Sequence, residues 1–260
     1  MPLPILAHQA PVLPLKLWRP AAWNGTALVI GSIAPDLEYV LLTGDVRANR
    51  GFAHGVVGQL VFCLPVTLAL VLLIGRFGLG EVLVARMGAR FAWLAGAATD
   101  VRQAGGLRRA CVSALVGSFS HVALDKLTHR VLPRWLPVHR AHLGRLSFTT
   151  PTIVQLVVSC GCVLVALWLL VRIARLPVPP APAARPGRAL IAALALVGSA
   201  VALFHARPVI RNPDAYFDAG PLYVWGHIAF VAVCGAGTGA LLAGTLLAAW
   251  DRRARAPRAA

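Results

Sequence analysis

Two histidines and an aspartate recur at four-residue intervals in the stretch SHVALDKLTH, residues 120–129. His121, Asp125 and His129 would share one face of a helix, because residues i and i+4 are neighbours on a helix surface. Neutral imidazole and carboxylate are ligands that suit zinc, with manganese and iron as alternatives. His121 and Asp125 are one turn apart and could share one ion, but His129 is about 12 Å from His121 along a regular helix. His129 is therefore predicted to serve a second metal, to bind substrate, or to lie past a helix end.

Three further segments place an ionisable residue among small, proline or glycine residues: ILAHQAP, GSIAPDLEYV and GFAHGVVG. They add His8, Asp36 and His54 to the candidate metal ligands. An ionisable group within an apolar segment is costly and by default indicates function. Pro35 disfavours helical backbone at Ala34 and suits a helix start. A break at this point is predicted to turn Asp36 into a polar cavity.

Two residues are candidates for action on a substrate. Glu38 could serve as a general base, or it could be a solvated acid at an interface. Arg130 follows His129 directly, and it is a candidate to bind a phosphate because guanidinium pairs with phosphate oxygens in bidentate fashion. Lys126 is a second candidate for the same role.

The elements that carry these residues are poor in charge. The chain has 260 residues, of which 58% are hydrophobic and 13% charged, whereas soluble domains carry roughly 25% charged residues. No Asp, Glu, Lys or Arg occurs within 51–75, 146–171 or 219–250, and 189–206 is a shorter run of this kind. About 20 apolar residues cross a bilayer. The sequence therefore predicts an all-α, multi-pass transmembrane helical bundle of about five spans with a His/Asp site at membrane level.

The predicted spans divide the chain into two parts. A metal-site domain covers 1–173, with spans at about 56–75, 108–126 and 152–173. A Pro-rich linker at 174–187 separates it from two C-terminal transmembrane helices within 188–250, at about 188–206 and 225–249, and a basic tail covers 251–260. A further span at 20–42 or 89–101 is left open. The first two spans form a helical hairpin, which is predicted to return His54 and His121 to the same face.

The formal net charge is +16, which in a soluble protein would suggest nucleic acid as a partner. Here the basic residues lie between apolar runs, where the positive-inside bias and anionic headgroups account for them. We therefore expect no nucleic-acid partner, with membrane lipid as the environment and a candidate substrate. The larger share of Lys and Arg lies in 76–109, the linker and the tail. This predicts the bacterial inner membrane as location and a cytoplasmic C-terminus.

The motifs MPLPILAHQAPVLPL, ALVIGSIAPDLEYVLL, AHGVVGQLVFCLPVTLAL and GSFSHVALDKLTHR follow the order His, Pro-Asp, His, His-x-x-x-Asp-x-x-x-His. In this the chain resembles an uncharacterised bacterial family of multi-pass inner-membrane proteins. It is similar to the membrane-bound metal-dependent hydrolases and, more distantly, to the bacterial zinc-dependent phospholipases C. The resemblance covers about 1–173. It implies an all-helical body whose ligands are His8, Asp36, His54, His121 and Asp125, with His129 a further candidate.

The resemblance has one departure, because the free N-terminal residue and the late His/Glu pair of the soluble phospholipases have no counterpart here. It therefore implies one or two metals rather than three. The leading hypothesis is a membrane-embedded, metal-dependent hydrolase of a lipid phosphoester that uses a metal-activated water. An ion or proton transporter or sensor is the first alternative, although no internal repeat supports it. A non-catalytic membrane protein whose His and Asp residues tie helices together is the second.

Overall fold

The computed structural model of the protein describes residues 7–38, 51–76, 105–136, 140–143 and 146–173, with isolated positions at 101, 200, 204 and 207. In the first part of the chain the helices are α1 (Leu13–Trp18), α2 (Gly25–Gly31), α3 (Ala34–Glu38), α4 (Val56–Gly58) and α5 (Leu64–Arg76). Then follow α6 (Gly106–Lys126), α7 (Leu132–Trp135), strands β1 (Arg140–Leu143) and β2 (Leu146–Thr149), and α8 (Thr150–Ile173).

Helix α2 is short and almost wholly buried, and it lies against α6. Asn24 begins α2: its side-chain oxygen accepts the backbone N–H of Ala27, and its own N–H donates to the hydroxyl of Ser113 on α6, both at 3.0 Å. The helices approach closely at Gly117, where a Cβ would lie 2.5 Å from the carbonyl oxygen of Leu28. A glycine is therefore required there, and α2 is seated against one face of α6.

The apolar side chains of the described residues pack in separate clusters, two of which contact α2. Ala27 and Ile30 of α2 pack with Val71 of α5 and with Ala110 and Ala114 of α6. A second cluster joins the N-terminal region to α8 and contains Ala10, Leu13, Ala166 and Leu169. The first cluster joins α2 to α5 and α6, the second joins the N-terminal region to α8, and Ala34, Ala53 and Cys63 form another beside α3.

Two helices contain π-helical turns close to the candidate ligands. Gln59–Cys63 joins α4 to α5, and Leu127–Val131 joins α6 to α7. Such turns insert an extra residue into the hydrogen-bond ladder and often occur at functional sites. Strands β1 and β2 form an antiparallel hairpin that pairs Arg140 with Thr149 and Leu143 with Leu146.

The predicted all-α class is confirmed for the described part of the chain, in which this hairpin is the exception. Helices occupy the ranges predicted for the first three spans, since the α4–α5 segment covers 56–76, α6 covers 106–126 and α8 covers 150–173. Among the described residues, no helix has both the length and the apolar character needed to cross a bilayer. The linker at 174–187, the C-terminal helices within 188–250 and the tail lie outside the described residues, apart from three isolated positions. The optional span at 89–101 lies outside them except for residue 101.

Candidate metal centre

Five elements converge on one cluster of imidazoles and carboxylates. His8 precedes α1, Asp36 lies in the first turn of α3, and His54 comes two residues before α4. His121 and Asp125 lie on the last two turns of α6, and His129 lies in the π turn that follows. All six ligands predicted from the sequence are therefore close together: His8, Asp36, His54, His121, Asp125 and His129.

Four of these side chains alternate, imidazole and carboxylate, around a common space. His121 Nε2 is 3.5 Å from Asp36 Oδ1 and 3.7 Å from Asp125 Oδ2. His54 Nε2 is 3.9 Å from Asp36 Oδ1 and 3.5 Å from Asp125 Oδ2. Each imidazole nitrogen thus faces both carboxylates, and each carboxylate faces both imidazoles. We call Asp36, His54, His121 and Asp125 the ligand ring.

The spacing in the ligand ring fits a shared cation better than direct ion pairs. A charge-assisted hydrogen bond brings nitrogen and oxygen to about 2.7–2.9 Å, which is shorter than every separation in the ring. Zinc with nitrogen and oxygen ligands at about 2.0–2.2 Å holds neighbouring ligand atoms roughly 3.3–3.6 Å apart in a tetrahedron. The four imidazole–carboxylate separations of 3.5–3.9 Å lie at or slightly above that range, and the ligand atoms of Asp36, His54 and His121 all lie within 4.8 Å of one another. The donor set and its dimensions therefore suit a divalent metal ion.

His121 is fully buried, and the backbone determines how it is oriented. Its Nδ1 lies 2.8 Å from the carbonyl oxygen of Ser32, so Nδ1 carries the proton and donates it to that carbonyl. The lone pair is then left on Nε2, which points into the ligand ring. A carbonyl partner on the outer nitrogen is the usual arrangement for a metal-binding histidine, because it sets both the tautomer and the ring plane.

Asp36 Oδ1 and His121 Nε2 face each other across the ring at 3.5 Å, and both are buried without a hydrogen-bond partner among the described residues. Burying a polar atom without a hydrogen bond costs roughly 1–3 kcal/mol. Burial alone would raise the pKa of Asp36, but the neighbouring imidazoles, first that of His121 and then that of His8, hold that pKa below its ordinary value. Asp36 is thus an anion whose inner oxygen faces only the ring, which is the condition of a metal ligand.

His8 extends the cluster beyond the ring. Its imidazole stacks on that of His121 with ring centroids 3.8 Å apart, and its Nε2 lies 3.6 Å from Asp125 Oδ1. Burial, and secondly the neighbouring His121, lower the pKa of His8 to about 4. A neutral imidazole at ordinary pH can offer its lone pair to a metal. His8, His121 and Asp125 form a second group whose ligand atoms lie within 4.8 Å of one another.

The π turn decides the position of His129. Thr128 is buried, and its hydroxyl donates to the carbonyl oxygens of Leu124 and Asp125, which belong to the turn before it. His129 Nε2 lies 3.8 Å from Asp125 Oδ1 and 3.2 Å from the side-chain nitrogen of Gln155 on α8. His129 is the most exposed member of the cluster, and it stands at the rim beside the outer oxygen of Asp125.

The comparisons with known proteins place the chain in a family. The family model described as Domain of unknown function (DUF4184) matches residues 1–250. The chain belongs to this family. Comparison with curated proteins and with solved structures found no match. The match covers the whole ligand ring of this DUF4184 member. Because the family description names no function, a function is argued from the chemistry of the ring.

The two residues predicted to act on substrate lie outside the ligand groups. Glu38 is 1% exposed, and its carboxylate accepts the backbone N–H of Ala53 at 2.9 Å. Arg130 is exposed in the π turn, next to His129. A general-base role for Glu38 and phosphate binding by Arg130 stay predictions.

Sequence reasoning missed three residues that support the cluster: Ser32, Thr128 and Gln155. Ser32 acts through its carbonyl group, which every residue has, so its side chain carries no signal. Thr128 lies inside the quoted motif, and only the π turn gives its hydroxyl a role. Gln155 is a polar residue within the uncharged run 146–171, and that isolation is the signal by which it could have been found.

Proposed function

We propose that this DUF4184 member is a metal-dependent hydrolase that acts on a phosphoester, with a membrane lipid as the substrate class. The observation that supports this best is the ligand ring, in which two imidazoles and two carboxylates alternate at 3.5–3.9 Å. Asp36 Oδ1 and His121 Nε2 add to the argument, because neither has a hydrogen-bond partner in the described part of the chain and a bound cation would supply a partner to both.

Zinc is the proposed metal, with manganese and iron as alternatives, because nitrogen and oxygen donors suit all three. The ligand ring would hold it, and His8 and His129 would contribute at the outer oxygen of Asp125. When bound, such a metal supplies a water of lowered pKa and polarises a phosphoryl oxygen.

The chain's own residues would do three things in this reaction. The Ser32 carbonyl keeps the His121 proton on Nδ1, so Nε2 stays a ligand. His129 at the exposed rim could take or give a proton, and Arg130 beside it could bind the phosphate charge. The burial of His8, Asp36 and His121 excludes water from the inner side of the cluster.

We propose an inner-membrane location with a cytoplasmic C-terminus. In support, α8 exposes large apolar side chains at helical spacing, at Val157, Leu164, Trp168 and Val171, which are 55–68% exposed. Contiguous exposed apolar surface marks an interaction site, of which a membrane is one kind. Arg172 lies over the ring of Trp168 at 4.6 Å, and such amphipathic pairs are favoured at membrane–water interfaces.

The metal is tested first, on purified full-length protein. Metal content is measured by mass spectrometry for the wild type, His121→Ala and Asp125→Ala. Ser120→Ala is the matched control, since its hydroxyl bonds to the Gly117 carbonyl in the same helix. We expect near-stoichiometric metal in the wild type and the control, and loss in both ring variants. A wild type that refuses zinc, manganese and iron on reloading would overturn the proposal.

Hydrolysis and location need their own experiments. The reloaded protein is assayed for phosphate-ester cleavage on phospholipid vesicles and on a soluble phosphodiester, and activity that follows the metal content supports the reaction. A metal-loaded protein without activity on either substrate would contradict the hydrolase. Location is tested by alkaline carbonate extraction of cell membranes, and release of the full chain into the wash would contradict membrane insertion.

A further inference from the structure

The backbone N–H and carbonyl groups of Ala53 are held by three buried side chains. Its N–H donates to Glu38 Oε2 at 2.9 Å. Its carbonyl oxygen accepts the amide of Gln59 at 2.6 Å and the thiol of Cys63 at 3.5 Å. Ala53 itself is fully buried. We call Glu38, Gln59 and Cys63 the Ala53 clamp.

The clamp is costly to build, which suggests that it serves the site. Glu38 and Gln59 are each only 1% exposed, and a buried carboxylate is unfavourable unless it is well hydrogen-bonded. A loop could satisfy one backbone N–H and one carbonyl with water at the surface. Here two helical segments instead contribute three polar side chains to a single alanine.

The residue that follows Ala53 is the ring ligand His54. Unlike His121 and Asp125, it lies in a turn before α4, so no helical ladder holds its backbone. The turn that contains His54 also packs closely against Gly58, where a Cβ would be 1.8 Å from the carbonyl oxygen of Phe52 and 2.7 Å from the Ala53 Cα. The turn is therefore held by the clamp on one side and by close contact on the other.

Glu38 links this turn to a second ligand. Helix α3 contains Asp36 of the ligand ring and, two residues later, Glu38 of the clamp. Residues two apart on a helix point in widely different directions, so α3 places one carboxylate in the ring and the other on the Ala53 backbone. The position of His54 relative to Asp36 thus depends on one short helix.

We infer that Glu38 and Gln59 are positioning residues that hold His54 in the ligand ring through the Ala53 backbone. The inference rests on the proposed metal centre and assigns Glu38 a role other than general base. Partners outside the ligand shell of a metal site typically affect metal affinity by about 10–100-fold. The clamp acts through the backbone of a neighbouring residue, so we expect the lower end of that range.

The test is a double-mutant cycle read out by metal affinity. Zinc Kd is measured by competition with a chromophoric chelator for wild type, Glu38→Ala, His54→Ala and the double variant. Glu38→Ala is expected to weaken zinc binding about 10-fold in the wild-type background. In the His54→Ala background it should add less than about 3-fold, because its effect is transmitted by His54. Equal losses in both backgrounds would mean a general structural role and would overturn the inference.

Two further variants keep the test informative if Glu38→Ala does not fold. Glu38→Gln retains an acceptor oxygen and should bind zinc within about 3-fold of the wild type, whereas Gln59→Leu should weaken binding about 10-fold. Cobalt-loaded Gln59→Leu should have an altered visible spectrum, because a displaced His54 changes the coordination. Thr67→Val, which replaces a buried hydroxyl on α5 outside the clamp, is the control with unchanged affinity and spectrum.

The outcomes separate this inference from the proposed function. A wild type that binds no zinc removes the metal centre, and the inference with it. The wild type could instead bind zinc while Gln59→Leu and Glu38→Ala keep the same zinc affinity and cobalt spectrum. That result would overturn the positioning role of the clamp and leave the metal centre intact.

Discussion

The two halves of the ligand ring are held in different ways. His121 and Asp125 lie on the 21-residue helix α6. Because α2 packs closely against this helix at Gly117, the Ser32 carbonyl lies beside His121. His54 comes from a turn and Asp36 from a five-residue helix, joined through the Ala53 clamp. One half is positioned by helix geometry and packing, the other by side chains that bind backbone. A site needs both of its halves held to a fraction of an ångström, so the turn half needs the additional polar contacts.

The largest expected effect separates the two halves directly. His121→Ala should abolish metal binding, because it removes a ligand atom common to both ligand groups. His54→Ala should weaken binding and leave the group of His8, His121 and Asp125 in place. Metal titration of both variants measures the difference. If His54→Ala loses metal as completely as His121→Ala, the two halves contribute equally and the contrast is wrong.

A pH experiment tests the His8 side of the cluster. Burial lowers the pKa of His8 from 6.5 to about 4, so between these values the unfolded chain binds a proton that the folded chain does not. The free energy of unfolding of metal-free protein should therefore decrease as the pH falls from 6.5 to 4. The contribution is up to about 3 kcal/mol.

Other groups titrate in the same range, so the measured quantity is the difference between the wild type and His8→Gln. The pH dependence of unfolding should be weaker in His8→Gln. Parallel curves for the two proteins would mean that His8 is protonated in the fold or that its surroundings tolerate the charge.

A larger side chain at the contact between α2 and α6 should lower both the free energy of unfolding and the affinity for metal. In Gly117→Ala the new methyl would meet the Leu28 carbonyl at 2.5 Å and the Ser32 N–H group at 2.8 Å. Relief of such contacts typically costs 1–3 kcal/mol, and it moves the Ser32 carbonyl away from His121. Denaturant unfolding and zinc affinity check this, with Gly161→Ala on α8 as control, since a Cβ there meets nothing within 4 Å. Lower stability with unchanged zinc affinity would mean that the packing of α2 on α6 does not control the position of His121, and would contradict the prediction.

The smallest expected effect concerns the rim. Thr128→Val removes the hydroxyl that donates to the Leu124 and Asp125 carbonyls, at a cost of about 1 kcal/mol. The π turn should relax and His129 should move from Asp125, while the ligand ring keeps its metal. We expect zinc affinity within about 3-fold of the wild type and a larger loss of phosphoester hydrolysis. Thr128→Ser, which keeps the hydroxyl, should have the activity of the wild type. Equal activity in the wild type, Thr128→Val and Thr128→Ser would mean that His129 takes no part in the reaction.

Much of the site could be predicted because its signal is local. The four-residue spacing of His121 and Asp125 requires only a helix, and α6 supplies it. Pro35 predicted a helix start near this point, and α3 begins one residue earlier, at Ala34, where helical backbone was expected to be disfavoured; Asp36 is buried as predicted. The helical hairpin was expected to bring His54 and His121 to the same face, and their ring centroids are 5.3 Å apart. The role of Glu38 could not be predicted, because its partner is a backbone group 15 residues away.

The residue types available for chemistry, the helical character of the chain and the register of His121 and Asp125 on α6 can be read from the amino-acid sequence. These follow from periodicity and side-chain chemistry, which act over one or two turns. The packed fold is needed to see that His8 stacks on His121, that Ser32 orients its imidazole, and that a π turn brings His129 back to Asp125. Those contacts depend on how far helices approach one another and on which backbone groups are buried, and both are properties of the packed chain rather than of any local stretch.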